Sequence, residues 1–175
     1  EVDRIGWNLT EGREVALALG RSGMTIIANY LDDLEGARTL ADALGAMGAG
    51  CHLVQGDLSN RSRIEALMTA AEQVGGIDVL VNNAAIFPRK PFLELSEAMW
   101  DQTMTINLKA PFLCTQLAAR RMVAQGRGGA VINLTSIAAF RGSPNAAHYI
   151  TSKAGLVGLT RATAIELAPH RIRVN

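Results

Sequence analysis

Two residues that could exchange a proton lie one helical turn apart near the end of the chain. Tyr149 and Lys153 are four positions apart, so on a helix the phenol and the ammonium share one face. A nearby ammonium favours the phenolate and lowers the pKa of a tyrosine from its ordinary value of about 10. The spacing therefore predicts a general acid/base pair. The alternative interpretation is an exposed tyrosine beside an exposed lysine.

Other polar residues follow predicted strands at positions where a ligand could meet them. Ser136 comes after the apolar segment Ala130–Leu134, and its hydroxyl could orient a carbonyl that the phenol of Tyr149 protonates. Asp57 and the pair Asn82–Asn83 follow two earlier apolar segments. Because open parallel sheets bind ligands beyond the carboxyl ends of their strands, these residues together predict a ligand site.

The elements that would hold these residues alternate between apolar β-branched runs and segments of helical period. Strands are expected at Met24–Asn29, Cys51–Gln55, Val79–Val81 and Ala130–Leu134. Helices are expected at Arg13–Gly20, Leu34–Met47, Arg61–Val74, Ala98–Ala124 and Tyr149–Leu167. This alternation predicts an α/β fold in which residues 1–175 form a single domain, with one parallel sheet covered by helices on both faces.

Composition and charge narrow the class of partner. The 175 residues are 49% apolar, enough for one domain with a core. Lys and Arg number 17 against 16 acidic residues, and the net charge of +1 favours neither nucleic acid nor a membrane surface. The sequence shows neither an apolar run long enough to span a bilayer nor a signal peptide at Glu1–Arg4. We expect a soluble cytoplasmic protein that binds a small molecule.

Cysteine and histidine positions give no reason to expect a metal. Cys51 and Cys114 lie in apolar segments without the spacing of a metal or redox site, and we expect buried free thiols. His148 has no second ligand-type residue at a suitable spacing, so a surface or interface position is expected for it.

From about Arg13 to Asn175 the sequence resembles the short-chain dehydrogenases/reductases. The similar segments are Asn82-Asn83-Ala84-Ala85, Asn107-Leu108, Leu134-Thr135-Ser136 and Tyr149-Ile-Thr-Ser-Lys153. The resemblance implies a Rossmann-like doubly wound fold. It also implies an NAD(P)-dependent oxidoreductase that moves a hydride between a nicotinamide and a secondary alcohol or ketone.

The resemblance assigns a role to each residue of the catalytic set. Tyr149 would be the general acid/base and Ser136 would hydrogen-bond the substrate oxygen. Lys153 would lower the pKa of Tyr149 and bind the nicotinamide ribose. Asn107 would hold a water molecule that relays the proton towards solvent.

Further positions resemble those that bind the cofactor in the family. Asp57 and Leu58 would contact the adenine, and Asn83 the cofactor ribose. A plain loop aspartate and a turn-forming asparagine are the respective alternatives.

The preference between NAD and NADP depends on the end of the second family strand, where the register places Tyr30. Asp32 and Asp33 follow closely and would disfavour the extra phosphate of NADP. Asn29-Tyr30, in contrast, resembles members that use NADP. NAD and NADP therefore remain equal alternatives.

The segment Ile5–Gly12 stands in the register of the family's glycine-rich pyrophosphate turn, Thr-Gly-x-x-x-Gly-x-Gly. Gly6 and Gly12 match two of the three glycines, whereas Thr10 replaces the middle one. Glu11 adds a negative charge where the phosphates would lie. We therefore expect an altered first strand and turn.

The chain ends at Arg171–Asn175, which resembles the start of the family's sixth strand, so the later strands are expected to be missing. Both ends favour a piece of a longer enzyme, which is expected to be a homotetramer or homodimer. A non-catalytic dinucleotide-fold fragment or scaffold with impaired cofactor binding is the second hypothesis. A sugar-nucleotide epimerase fits the segments around Asn83 and Asn107 less well. The central motifs resemble 3-oxoacyl-carrier-protein reductases and glucose 1-dehydrogenases equally.

Overall fold

The computed structural model describes residues 9–175, which form two compact units, residues 9–76 and Ile77–Asn175. The first unit contains α1 (Leu9–Arg21), β1 (Ile26–Tyr30), α2 (Leu34–Ala46), β2 (Cys51–Gln55) and α3 (Arg61–Gln73). The second contains β3 (Val79–Asn82), α4 (Glu97–Met104), α5 (Ala110–Gln125), β4 (Gly129–Asn133), α6 (Ala147–Leu167) and β5 (Ile172–Val174). The predicted α/β fold with parallel strands is confirmed.

The core of the first unit forms where two helices pack on one face of a strand. Strands β1 and β2 pair in parallel, with Tyr30 opposite Gln55 at their carboxyl ends. Ile26 and Ala28 alternate along β1, so both side chains point to the face where Leu17 of α1 and Leu44 of α2 are buried. Leu44 is fully buried.

The second unit is built on a three-stranded parallel sheet in which β4 lies between β3 and β5. Val131 of β4 is fully buried, as expected for a central strand covered on both faces. The Gln125 side chain, at the end of α5, accepts a hydrogen bond from the amide of Ile77 (2.7 Å) and donates one to its carbonyl (2.9 Å). Gly126 then ends α5 with a φ of 72°, which glycine adopts without steric strain.

The predicted continuous helix Ala98–Ala124 is wrong, because a π turn at Thr105–Lys109 separates α4 from α5. The amide of Ala110 donates to the carbonyl of Thr105, five residues earlier. Pro111 has no amide hydrogen to offer the carbonyl of Asn107, four residues before it. The π turn therefore coincides with a position where the regular α-helical bond has no donor.

Two other expectations differ from the structure at helix beginnings. Helix α1 begins at Leu9 rather than at Arg13, so the helix includes Gly12. His148 lies in the first turn of α6 and is fully buried, so the expected surface position is wrong. The proposed first strand at Glu1–Arg4 lies outside the described residues. In the part of the chain that is described, no helix is long and apolar enough to cross a membrane.

We predict that Leu44→Ala lowers the free energy of unfolding by about 2–5 kcal/mol, because it removes buried atoms and leaves a cavity. Leu34→Ala is the matched control, since Leu34 lies on the same helix but is 39% exposed. Urea unfolding followed by circular dichroism measures both. Equal losses in the two variants would contradict the placement of Leu44 in the core.

The free thiol of Cys114 is buried, and this burial raises its pKa to about 12. Compared with a thiol at 9.0, its thiolate fraction at pH 8 is lower by about a thousandfold. We expect iodoacetamide to modify half-buried Cys51 well before Cys114 in the native protein, and both at similar rates in urea. Peptide mass spectrometry of timed samples gives the two rates. Rapid labelling of native Cys114 would show that the thiol is accessible.

Candidate active site

Helix α6 carries the two residues of the predicted acid/base pair. Lys153 is 4% exposed, and its Nζ lies 5.9 Å from the centre of the Tyr149 ring. The same Nζ donates a hydrogen bond to the carbonyl oxygen of Leu134 (2.8 Å). Because an ammonium is costly to bury without partners, this contact fixes where the charge lies. The alternative of an exposed lysine is wrong.

Ser136 lies two residues beyond Leu134, where the chain leaves β4 and enters a 3₁₀ turn at Ile137–Phe140. Its Oγ accepts a hydrogen bond from the amide of Ala138 (3.1 Å), so that Ser136 caps the start of that turn. Accepting a bond leaves the hydroxyl hydrogen to be donated to a ligand. Since Lys153 is anchored to Leu134, α6 and the end of β4 that carries Ser136 are held together.

Asn107 lies in the π turn and is fully buried. Its Oδ1 accepts from the amide of Ile86 (2.8 Å), and its Nδ2 donates to the carbonyl of Ile86 (2.9 Å) and to Ser152 Oγ (3.1 Å). Ser152 in turn donates to the carbonyl of Tyr149 (2.7 Å). The amide of Asn107 therefore ties the segment after β3 to the helix that carries Tyr149.

A row of buried polar side chains crosses β3 and β4. Asn82, predicted as part of the ligand site, lies in this row with Asn133, Thr115 and Thr160, which were not predicted. Asn82 Nδ2 donates to Asn133 Oδ1 (2.8 Å) and to Thr115 Oγ1 (3.1 Å). Asn133 Nδ2 donates to Thr160 Oγ1 (2.8 Å), which bonds back to its own helix α6. Each asparagine is the last residue of an otherwise apolar strand, and that position was the available signal. The row links both strand ends to α5 and α6.

The segment after β3 also contacts Tyr149 directly. The Phe87 ring stacks on the Tyr149 ring, with centroids 4.0 Å apart and an interplanar angle of 23°. The Arg89 guanidinium carbon lies 4.9 Å from the centre of the Phe87 ring. The carbonyl of Pro88 lies 2.7 Å from Nε2 of buried His148. Phe87 and His148 were not predicted as site residues, because only the tertiary contacts reveal them.

Within residues 9–76, three expected cofactor residues lie at the carboxyl end of β1 and β2. The carbonyl of Tyr30 accepts from the amide of Gly56 (2.9 Å). Asp57 is exposed, with one oxygen bonded to the amide of Ser59 (2.8 Å), and Leu58 is half-buried. This carboxylate has its second oxygen free to accept from an adenine amino group, so the donor set fits the expected role. Gly6 lies outside the described residues.

The structure therefore brings together Asn107, Tyr149 and Lys153 and links them through Leu134 to the strand end of Ser136. Asn83 follows β3 directly and is half-buried. Among residues 9–175, no group of three His, Cys, Asp or Glu side chains could hold a metal ion. The polar groups near Tyr149 are of types that can exchange a proton or orient a carbonyl.

Comparison with known proteins gives a consistent match. The chain is 41% identical to an uncharacterized oxidoreductase, YohF, of Escherichia coli over 165 residues. These residues make up 94% of this chain and 65% of that relative. The chain is 36% identical to a 3-oxoacyl-[acyl-carrier-protein] reductase of Staphylococcus aureus, with 94% and 67% covered. The crystal structure of an acetoin dehydrogenase from Salmonella typhimurium superposes with a TM-score of 0.88 at 36% identity, over 94% of this chain and 65% of that one.

The chain thus spans about two thirds of the length of these relatives. The family model for short chain dehydrogenases matches residues 9–175, which is all of the described part. The matched region contains the buried Lys153 and the Tyr149 beside it. The chain belongs to the short-chain dehydrogenase family.

Proposed function

We propose that the protein is an NAD(P)-dependent oxidoreductase that interconverts a secondary alcohol and a ketone, with Tyr149 as the general acid/base. The observation that carries the proposal is the buried Lys153 ammonium, fixed on the Leu134 carbonyl and 5.9 Å from the centre of the Tyr149 ring. A buried charge held beside a phenol is costly for a purely structural purpose and useful for proton exchange.

The proposal gives each of the two hydroxyl groups a role. In reduction, Tyr149 gives its phenolic proton to the carbonyl oxygen, and in oxidation it takes the hydroxyl proton. Ser136 donates a hydrogen bond to the same oxygen and stabilises the charge that develops there. When bound, the nicotinamide supplies or accepts the hydride. The positive charge of Lys153 favours the negative charge that Tyr149 carries between the two proton transfers.

Asn107 has a positioning role in this proposal. Its side-chain amide is engaged with Ile86 and Ser152, which leaves its main-chain carbonyl as the group to hold the water molecule of the proton relay. Pro111, which lacks an amide hydrogen, keeps the usual helical donor away from that carbonyl. The relay would therefore start at the backbone of the π turn.

Each of the two units contributes residues to cofactor binding in this proposal. In residues 9–76, Asp57 and Leu58 would hold the adenine, with Tyr30 beside the adenosine ribose. In Ile77–Asn175, Asn83 and Lys153 would bind the ribose groups. Asp33 caps α2 through the amide of Gly36 (2.8 Å), and Asn29 bonds to the carbonyls of Val54 and Gly56. Neither side chain therefore selects between NAD and NADP, and either cofactor fits. Both side chains are used for structure.

We also propose that two or four copies assemble through α6. Ala154, Gly158 and Ala162 recur every four residues along the helix and are exposed, whereas Gly155 faces Leu108. Small residues let the backbones of two helices approach closely. Ile165 continues the exposed stripe and is 78% exposed. An exposed apolar stripe of this kind is typical of a surface that another chain covers.

We predict that Tyr149→Phe lowers kcat by about 10²- to 10⁴-fold, because it removes only the proton-exchanging hydroxyl. Oxidation of racemic 2-butanol and 2,3-butanediol with NAD and NADP provides the assay, and cofactor affinity is titrated by fluorescence. Thr151→Ala is the control, since this exposed hydroxyl bonds only to its own helix. Cofactor binding without turnover in the unmodified protein would favour the scaffold hypothesis, and unchanged kcat in Tyr149→Phe would remove Tyr149 from the mechanism.

A second prediction concerns the amide of Asn107. Asn107→Asp replaces the Nδ2 donor by an acceptor facing the Ile86 carbonyl and Ser152, and we expect unfolding to become easier by about 1–3 kcal/mol. We also expect kcat to fall more than the affinity for cofactor. Asn60→Asp is the matched control, because aspartate caps the start of α3 as well as asparagine does. Thermal unfolding and steady-state kinetics give the two quantities, and a stability like that of the control would refute the positioning role.

A further inference from the structure

The segment Ile86–Lys90 places an aromatic ring and a positive charge in succession beside Tyr149. The Phe87 and Tyr149 ring centroids are 4.0 Å apart, and the Arg89 guanidinium carbon lies 4.9 Å from the Phe87 centroid. The guanidinium is thus no farther from the Tyr149 ring than the sum of these two distances. The edge of an aromatic ring and a cation are therefore both within reach of a small molecule that contacts Tyr149.

Two hydrogen bonds to its backbone hold this segment in place, one at Pro88 and one at Lys90. The carbonyl of Pro88 lies 2.7 Å from Nε2 of His148, which is fully buried. The amide of Lys90 donates to the carbonyl of Asn145 (3.0 Å). The two partners lie one position and four positions before Tyr149 in the chain, so these contacts fix Phe87 and Arg89 relative to the phenol. A preorganised group binds a ligand without losing conformational entropy at that moment.

Arg89 differs in its partners from two other cations of residues 77–175, Lys90 and Arg127. Lys90 pairs with Glu94 at 3.0 Å, and Arg127 pairs with Asp78 at 2.7 Å. Arg89 is exposed, and no carboxylate within residues 9–175 forms an ion pair with it. Its planar fork of N–H donors matches a carboxylate with two parallel hydrogen bonds.

The unit that contains Arg89, residues 77–175, carries an excess of positive charge. Residues 77–175 contain 11 basic and 5 acidic residues, whereas residues 9–76 contain 5 basic and 9 acidic residues. The small net charge of the whole chain conceals this difference. A positive field around the catalytic residues raises the local concentration of an anionic ligand.

We propose that Arg89 binds a carboxylate of the substrate, so that the enzyme acts on short oxo acids or hydroxy acids whose carbon chain passes along the edge of the Phe87 ring. This assignment rests on the proposed function, because it takes Tyr149 to be the residue at the reacting oxygen. The guanidinium then fixes one end of the substrate and Tyr149 and Ser136 fix the other. A neutral ketone of the same size has only the apolar contact with Phe87.

The test compares reduction of 4-oxopentanoate with that of its neutral isostere, 4-oxopentanamide. We expect Arg89→Gln to lower kcat/KM for the acid by about tenfold, through KM, and to change that for the amide less than twofold. Arg89→Lys keeps the charge but not the fork, and part of the preference should remain. Arg141→Gln is the matched control, because it removes another exposed cation, one that follows the turn after Ser136. Added salt should weaken the acid preference only where Arg89 is present.

Calorimetric binding of 4-oxopentanoate separates this proposal from the proposed function. If binding is lost in Arg89→Gln, and the unmodified protein turns over neither these compounds nor 2-butanol and 2,3-butanediol, the carboxylate site is supported and the oxidoreductase proposal is overturned. If Arg89→Gln turns over each compound with the same kcat/KM as the unmodified protein, the carboxylate site is overturned and the activity stands. Equal effects of Arg89→Gln and Arg141→Gln also overturn the site, since they indicate only the general positive field. Absence of both binding and turnover of 4-oxopentanoate overturns it as well.

Discussion

In residues 77–175, the buried ammonium of Lys153 joins the helix of the predicted acid/base pair to the central strand of the sheet. It is buried on α6 and donates to the carbonyl of Leu134 at the end of β4. A charge in the interior tolerates little displacement, because each lost hydrogen bond costs far more there than at the surface. The hydrogen bond therefore fixes the position of the helix that carries Tyr149 relative to the strand end that precedes Ser136. The spacing between the two hydroxyl-bearing residues follows from a contact that neither of them makes.

Buried amides extend the same constraint outward from this contact. Asn107 holds both polar backbone groups of Ile86 and reaches α6 through Ser152. Asn82 and Asn133 join neighbouring strands and continue to α5 and α6 through threonine hydroxyls. An apolar core of the same volume would permit small shifts of register, whereas directional bonds fix one arrangement. The unit thus combines an apolar interior with polar links where its elements must be placed relative to one another.

Sequence patterns predicted those features that depend on neighbouring residues. The strand Cys51–Gln55 was predicted at its observed bounds because its apolar run has clear limits, and Tyr149 and Lys153 share a face because helical geometry requires it. The π turn was missed although Pro111 is a local signal that the regular helix is interrupted there. The hydrogen bonds of Asn107 to Ile86 have no such local signal, because the two residues are 21 positions apart. The burial of His148 was missed for a similar reason, since its partner Pro88 is 60 positions away. Gly6 stays a prediction, and so does the catalytic role of each site residue.

The pairing of Asn82 with Asn133 has a consequence for how this protein can change over evolutionary time. If either residue became apolar on its own, the other would keep a buried amide that has lost one of its hydrogen bonds, so that part of its desolvation is uncompensated. Replacement of both at once by apolar residues of similar shape would remove that cost. Descendants of this chain should therefore either keep the two asparagines or exchange them together. The two strand ends are in this sense inherited as one unit, although 51 positions separate them in the sequence.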